Sequence, residues 1–292
     1  MYLTGLADEA GADIETQIRA TKELGWKWIE ARSAGPKNIH DISDAEFDHV
    51  VAKLEEAGIK INCFGSTIAN WGKSILDPAE ISFEEARRAI PRMRRLGTKM
   101  IRVMSYKAIP DKGMEEQEHE ERFKRMRVLN AMFTDAGIVM GHENCATWGG
   151  MGWNYTLRLL EAVPGMKLIF DTGNPIETLD YSKPEPRPMQ SAWEFYQHVK
   201  PAIVHVQVKD GVWDAAKAKP VWTYPGEGQA DLKRILADLV TGGYDGGLCI
   251  EPHMAVLYHD PSAQAAAEER YSNYVQYGKR LVAILKSLGA VV

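Results

Sequence analysis

A chain of 292 residues with 45% hydrophobic and 26% charged side chains can bury a large core, which excludes an intrinsically disordered protein. Its formal charge of −5 and its interleaved acidic and basic residues leave no footprint for a phosphate backbone, so nucleic acid is excluded as a partner. The acidic start (Asp8, Glu9, Asp13, Glu15), the absence of any run of 18 apolar residues, and three cysteines without a C-x-x-C pair (Cys63, Cys145, Cys249) argue against secretion, membrane insertion and disulfides, so a cytoplasmic protein is expected.

Along the chain, short apolar runs alternate with amphipathic stretches. LTGLA (3–7) is the first strand candidate, and DIETQIRATKEL (13–24) follows with apolar residues at three- and four-residue spacing. WKWIEAR (26–32) leads to SDAEFDHVVAKLEEA (43–57), IKINCFG (59–65) to SFEEARRAIPRMRRL (82–96), and MIRVMSY (100–106) to EERFKRMRVLNAMFTDA (120–136). IVMGHEN (138–144), KLIFDTGN (167–174), IVHVQVKD (203–210) and GGLCIEPH (246–253) complete eight strands, with DLKRILADLV (231–240) a helix before the last. Ser43 and Ser82 are placed as N-caps. A final helix over 261–288 should cover the barrel and is the candidate surface for a homo-oligomer.

Links from helix to strand are terse and marked by Gly or Pro, whereas links from strand to helix are long and carry Trp71, Trp148, Trp153, Trp213 and Trp222. In a (β/α)8 barrel the loops after the strands build the active face. Eight units, with no G-x-G-x-x-G after the first strand, favour this fold over a doubly wound open sheet. The expectation is a single (β/α)8 TIM-barrel domain spanning 1–292.

Acidic residues end three of the strands: Glu143 in MGHEN, Asp171 in IFDTGN and Glu251 in CIEPH. A carboxylate following four or five apolar residues stands at the rim of the barrel interior, where it requires a positive partner. Three together suit a cation that prefers oxygen ligands, Mg²⁺ or Mn²⁺. Alternation in IVHVQVKD puts His205, Gln207 and Lys209 on the same inner face.

The order of a Glu after strand five, D-T-G-N after strand six, K-D ending strand seven, P-G-E-G at Pro225–Gly228 and E-P after strand eight resembles the xylose isomerase-like TIM-barrel superfamily, the sugar-phosphate isomerase/epimerase proteins. The resemblance covers essentially the whole chain. It implies one metal held by Glu143, Asp171, Glu251 and a residue of strand seven, with Glu143 and Glu251 also acting as acid and base. Where the family carries its histidine ligand, this chain has Gln207, with His205 two residues earlier and about 6–7 Å deeper. Gln207 is therefore the expected fourth ligand, and a neutral oxygen donor favours Mg²⁺ or Mn²⁺ over Zn²⁺.

These residues imply an isomerase or epimerase acting on a ketose or related polyol, a small-molecule ligand, through an enediolate. A dehydratase or β-eliminase would share the first step, with His142 or His253 as the working base, and a non-catalytic sugar-binding barrel is the outcome if Gln207 abolishes metal binding. Glu30, Trp71, Trp148, Lys209 and His253 are the expected substrate contacts, with Trp213 and Trp222 as further candidate walls. Arg102 and Ser105 are read as structural, and Trp26, Trp28 and Trp193 as core. His40, His49, His119, His198 and His259 are read as solvated or capping.

Overall fold

The computed structural model describes residues 1–255 and 265–292. Eight parallel strands form the barrel: β1 (Tyr2–Gly5), β2 (Trp28–Ala31), β3 (Lys60–Gly65), β4 (Met100–Val103), β5 (Val139–Glu143), β6 (Lys167–Asp171), β7 (Ile203–Val208) and β8 (Gly247–Ile250). The hydrogen-bonded order runs β1-β8-β7-β6-β5-β4-β3-β2. The ladder is thus continuous all the way round except between β1 and β2, where one parallel bridge, Leu6 to Glu30, closes the ring beside a bulge in β2 at Ile29/Glu30. All eight predicted strands are present.

The outer layer comprises α1 (Ile14–Glu23), α2 (Asp44–Ala57), α3 (Glu80–Leu96), α4 (His119–Asp135), α5 (Trp153–Ala162), the single turn α6 (Asn174–Glu177), α7 (Ala192–Val199), α8 (Leu232–Thr241) and α9 (Ala267–Ser287). Ser43 caps α2 in a full capping box with Glu46, as its sequence predicts, while Asp13 caps α1 by accepting from the Thr16 N–H. Ser82 is not a cap. The helix begins two residues earlier, at Glu80 after Ala79, and Ser82 is buried within its first turn. Helix α9 lays Tyr274, Val275, Tyr277, Leu281 and Leu285 on the barrel; the residues before 265 in the predicted 261–288 helix lie outside the described residues, as does His259. No helix among the described residues is long and apolar enough to cross a membrane.

The strand alternation decides what the site contains. Leu168 and Phe170 of β6 and Val206 and Val208 of β7 are fully buried in the apolar layer under the helices. The opposite faces carry polar groups instead of the branched aliphatics usual inside such barrels: Glu30, Arg102, Glu143, Asp171, His205 and Gln207 are all buried. Two of the strand-to-helix loops contain hairpins: Ser33–Ala34 with Lys37–Asn38 after β2, and Asp210–Asp214 with Lys219–Thr223 after β7. The second alternates Val and Trp, which suits a small ribbon.

Among the predicted core tryptophans, Trp26 is buried, whereas Trp28 and Trp193 are half-buried at the rim, under Lys60 and Arg234 respectively. Of the predicted surface histidines, His40 departs most. It is fully buried, its Nε2 lying 3.2 Å from Asp41 and 3.8 Å from Glu85.

Candidate functional site

The C-terminal ends of the strands open into a cavity of about 680 Å³, lined at depth by Arg102, Glu143, Asn174, Lys209, Glu251 and His253. Glu143, Asp171 and Glu251 each offer a carboxylate oxygen within 4.8 Å of the other two. They come from the ends of β5, β6 and β8, and the barrel converges them as the strand-end pattern predicts.

Each carboxylate is held by a different set of partners. Glu143 takes the Asn174 amide at 2.8 Å on Oε1 and the Arg102 guanidinium at 2.9 Å on Oε2. Asp171 Oδ1 accepts the backbone N–H groups of Gly173 and Asn174, both at 2.7 Å, an Asx-type turn that folds the D-T-G-N segment back on its own aspartate. Glu251 Oε1 accepts from Arg32 at 2.8 Å. Lys209 reaches between two of them, with Nζ 3.1 Å from Asp171 Oδ2, 3.5 Å from Glu251 Oε2 and 2.8 Å from Asn174 Oδ1. Gly173 makes this reach feasible, since a methyl there would sit 2.6 Å from Lys209 Cγ.

Burial and mutual repulsion set the protonation tendencies. Burial pushes Asp171 well above the ordinary carboxylate range, with Glu251 and Glu143 adding to the rise and Lys209 opposing it. Burial alone would raise Glu251 too, but Lys209, His253 and Arg32 hold it well below. Lys209 stays protonated because Asp171 and Glu251 outweigh its own desolvation.

Beneath this trio lies a second polar layer. Glu30, fully buried, accepts Gln207 Nε2 at 2.9 Å on one oxygen and pairs with His205 Nε2 at 2.8 Å on the other. Its burial would raise its pKa, but His205 and the charge of Arg102 leave it lowered. A carboxylate only accepts, so Gln207 must turn its nitrogen towards Glu30 and its oxygen away. Gln207 pairs in register with Asp171 across β6 and β7, and its Oε1 is buried with no hydrogen-bond partner. Asp171 Oδ2 and Glu143 Oε2 are also buried, and their partners are the ion-paired Lys209 and Arg102.

This donor set fits a hard divalent cation. Three carboxylates and one amide oxygen are the ligand type such ions take, and the amide oxygen, Gln207 Oε1, is buried with no partner, while Glu143 Oε2 and Asp171 Oδ2 are held only by the ion pairs to Arg102 and Lys209. Charge points the same way: the linked cluster holds six buried carboxylates (Asp8, Glu9, Glu30, Glu143, Asp171, Glu251) against the three permanent cations Arg32, Arg102 and Lys209. His205 lies elsewhere, turned to Glu30.

Of the predicted site residues, Glu30, Asp171 and Gln207 lie fully buried beneath the lining residues, and His142 and Trp148 face away from the cavity. His142 faces the helix layer, because alternation sends Glu143 inwards and its neighbour outwards; its Nε2 meets Ser105 Oγ at 3.1 Å, and burial pushes its pKa down to about 3. Trp148 is fully buried against Phe123, His119 and Tyr155, so its ring supports the loop after β5 and offers no face to a ligand. Trp71 does line the cavity, with 42% of its surface exposed, and Trp222 stands over Lys209 Nζ at 5.1 Å and edge-on to His253. Glu30 is the floor of the site, below the lining residues.

Sequence reasoning missed an acidic and basic wall. Arg32 takes both oxygens of Asp8, at 3.0 and 3.1 Å, and also meets Glu9 and Glu251. Glu9 in turn accepts the backbone N–H of His253 at 2.8 Å and its Nδ1 at 2.9 Å. The signal was the D-E pair directly after β1. Arg102, read as structural, lines the cavity on Glu143. Asp210 of the K-D motif points elsewhere and accepts four backbone N–H groups, from Gly211, Gly226, Gly228 and Ala230, tying the P-G-E-G turn to the end of β7.

No curated protein matches the chain. Several solved structures share the fold at low identity. A xylose isomerase-like TIM barrel protein from Mycobacterium smegmatis in complex with magnesium is 19% identical, with a TM-score of 0.67 over 98% of this chain and 97% of that one. A D-tagatose 3-epimerase-like protein is 15% identical, with a TM-score of 0.72 over 99% and 98%. The probable 3-DHS dehydratase AsbF of Bacillus anthracis is 16% identical, with a TM-score of 0.69 over 97% and 99%. A family model described as xylose isomerase-like TIM barrel matches residues 18–272, most of the chain, and with eight parallel strands around a strand-end carboxylate cluster this chain belongs to that family.

Proposed function

We propose that the protein is a divalent-cation-dependent isomerase or epimerase of a ketose or related polyol. The carrying observation is the trio Glu143, Asp171 and Glu251 in a cavity of sugar size, Glu143 and Glu251 lining it and Asp171 buried just beneath, paired in register with Gln207, whose Oε1 has no partner. These four residues would hold Mg²⁺ or Mn²⁺ in preference to Zn²⁺, because every donor is a hard oxygen. When bound, such a cation polarises the substrate carbonyl and stabilises the negative charge of an enediolate.

The chain's own residues handle the protons. Glu143 and Glu251 come from β5 and β8 on different sides of the cavity, so they address two faces of a carbon between them. Arg102 and Asn174 orient Glu143, and Arg32 orients Glu251, which keeps each carboxylate aimed inwards as a base. Lys209 and Arg102 line the cavity as donors available to a developing oxyanion. Trp71 supplies an apolar wall at the mouth, and His253 a polar one beside Glu251.

A metal-dependent dehydratase or β-eliminase is the second reading. His253 favours it: its Nε2 lies 3.7 Å from Glu251 Oε1 on the cavity wall, where an imidazole can protonate a departing hydroxyl. The fold relative named as a probable dehydratase points the same way. Incubating 2-keto and 3-keto sugars with the protein and Mn²⁺ in D₂O separates the two. Deuterium uptake at carbon without new ultraviolet absorbance is expected; an absorbing unsaturated product would replace the isomerase with the lyase. Absence of both, together with no Mn²⁺ or Mg²⁺ binding by calorimetry, would overturn both enzymatic readings in favour of a sugar-binding barrel.

A further inference from the structure

Charge is distributed unevenly along the cavity. The floor carries excess carboxylate, but the wall built by the loop after β1, the hairpin after β2 and the first turn of α9 carries two cations with no carboxylate on them. Lys37 projects from the hairpin and Arg270 from α9, and among the described residues neither forms an ion pair. Arg270 gives Nη2 to the main-chain oxygen of Asp8 at 2.7 Å, which fixes its stem, while its Nε is buried and unpartnered. The Asp8 carboxylate is not its counter-ion, since both Asp8 oxygens are taken by Arg32 and one also by Ser33. Glu177, the remaining carboxylate near the mouth, belongs to α6, which follows β6 and packs against the hairpin after β7.

We infer that the substrate is a polyhydroxy chain whose end remote from the carboxylate trio bears an anionic group, docked on Arg270 and Lys37. This rests on the functional reading above and narrows its substrate class from neutral ketoses to sugar acids or sugar phosphates. The physical reason is that a half-buried guanidinium held in place by the Asp8 carbonyl, with no carboxylate paired to it among the described residues, gains most from an acceptor that is itself charged. A neutral hydroxyl would leave the half-buried Arg270 guanidinium without a counter-ion. Carboxylate and phosphate share this chemistry, and the test separates them.

Three probes with the same carbon chain are titrated calorimetrically into the protein, with and without magnesium chloride: D-glucitol, D-gluconate and D-glucitol 6-phosphate. At least one anion is expected to bind about tenfold or more tighter than glucitol. The double variant Lys37→Gln/Arg270→Gln should lose that preference while binding glucitol within about twofold of the wild type. Stronger binding of gluconate assigns a sugar acid, and stronger binding of the phosphate a sugar phosphate. Equal binding of all three probes, no binding of either anion, or a preference that survives in the double variant overturns the inference. Gluconate held by the metal instead of the wall would give that last result. These are binding readouts. An anion preference without deuterium exchange sinks only the isomerase reading, and exchange on neutral ketoses without an anion preference sinks only this one.

Discussion

Gln207 illustrates how one side chain can be decided by its neighbour. Its amide could present either end to the floor of the site, but Glu30 accepts only hydrogens, so the oxygen is turned away from it. Glu30→Gln removes this constraint while keeping the shape, because a glutamine there can donate as well as accept. Mn²⁺ affinity measured by calorimetry should fall by about tenfold or more, as is usual when the support of a ligand is lost. An unchanged affinity would show that Gln207 does not ligate. His142 supports the opposite expectation. Its contacts are Ser105 and the loop glycine Gly149, on the far side of β5 from the cavity. His142→Asn should therefore destabilise the fold by about 1–3 kcal/mol in urea denaturation, through lost burial and hydrogen bonding, and leave kcat/KM within about twofold. A drop of a hundredfold with an intact fold would return His142 to the catalytic machinery.

At the scale of elements, the eight strands and the carboxylates ending three of them were legible because period-two alternation and terse, glycine-marked helix-to-strand links are local properties of the chain. Parity was equally legible: His142 and Glu143 are adjacent and cannot both face the pore, so the choice of Glu143 already argued against its neighbour. The Asp8, Glu9 and Arg32 wall was not, since its partners lie more than 20 residues apart or at the other end of the chain. His40 was missed because, although Asp41 is its sequence neighbour, Glu85 and the elements that bury it are distant in the chain. It lies between Asp41, after β2, and Glu85 of α3, with Lys73 on Glu85 and Arg88 on Asp41. Burial alone would depress its pKa, but the two carboxylates hold it above the ordinary histidine value. A raised folded-state pKa contributes stability that is full below the unfolded value, near 6.5, and is lost as pH rises through the folded value. Urea denaturation from pH 6 to 9 should accordingly show wild-type stability falling across that window by up to about 1.4 kcal/mol per pH unit. His40→Gln should flatten that slope, and an identical slope in the variant would place the titration elsewhere.

For the whole molecule, the seam between β1 and β2 has a consequence for how the barrel breathes. Every other neighbouring pair of strands is laced by a ladder, while this pair shares the single bridge at Leu6 and Glu30 beside a bulge. The cheapest way to open the ring is there, and amide hydrogens of residues 29–31 should exchange with solvent sooner than those of β6 and β7, which are paired on both sides. The residue at the seam is also the one that props Gln207. Local opening would then withdraw Glu30 and release the amide above it, so ligand capture and closure of the ring become one equilibrium. Saturating Mn²⁺ should slow exchange at residues 29–31 more than at β4, two strands away from β2. Equal slowing everywhere would mean that the metal merely stabilises the fold as a whole, and a selective effect would make the weakest joint in the backbone the hinge on which the site is tuned.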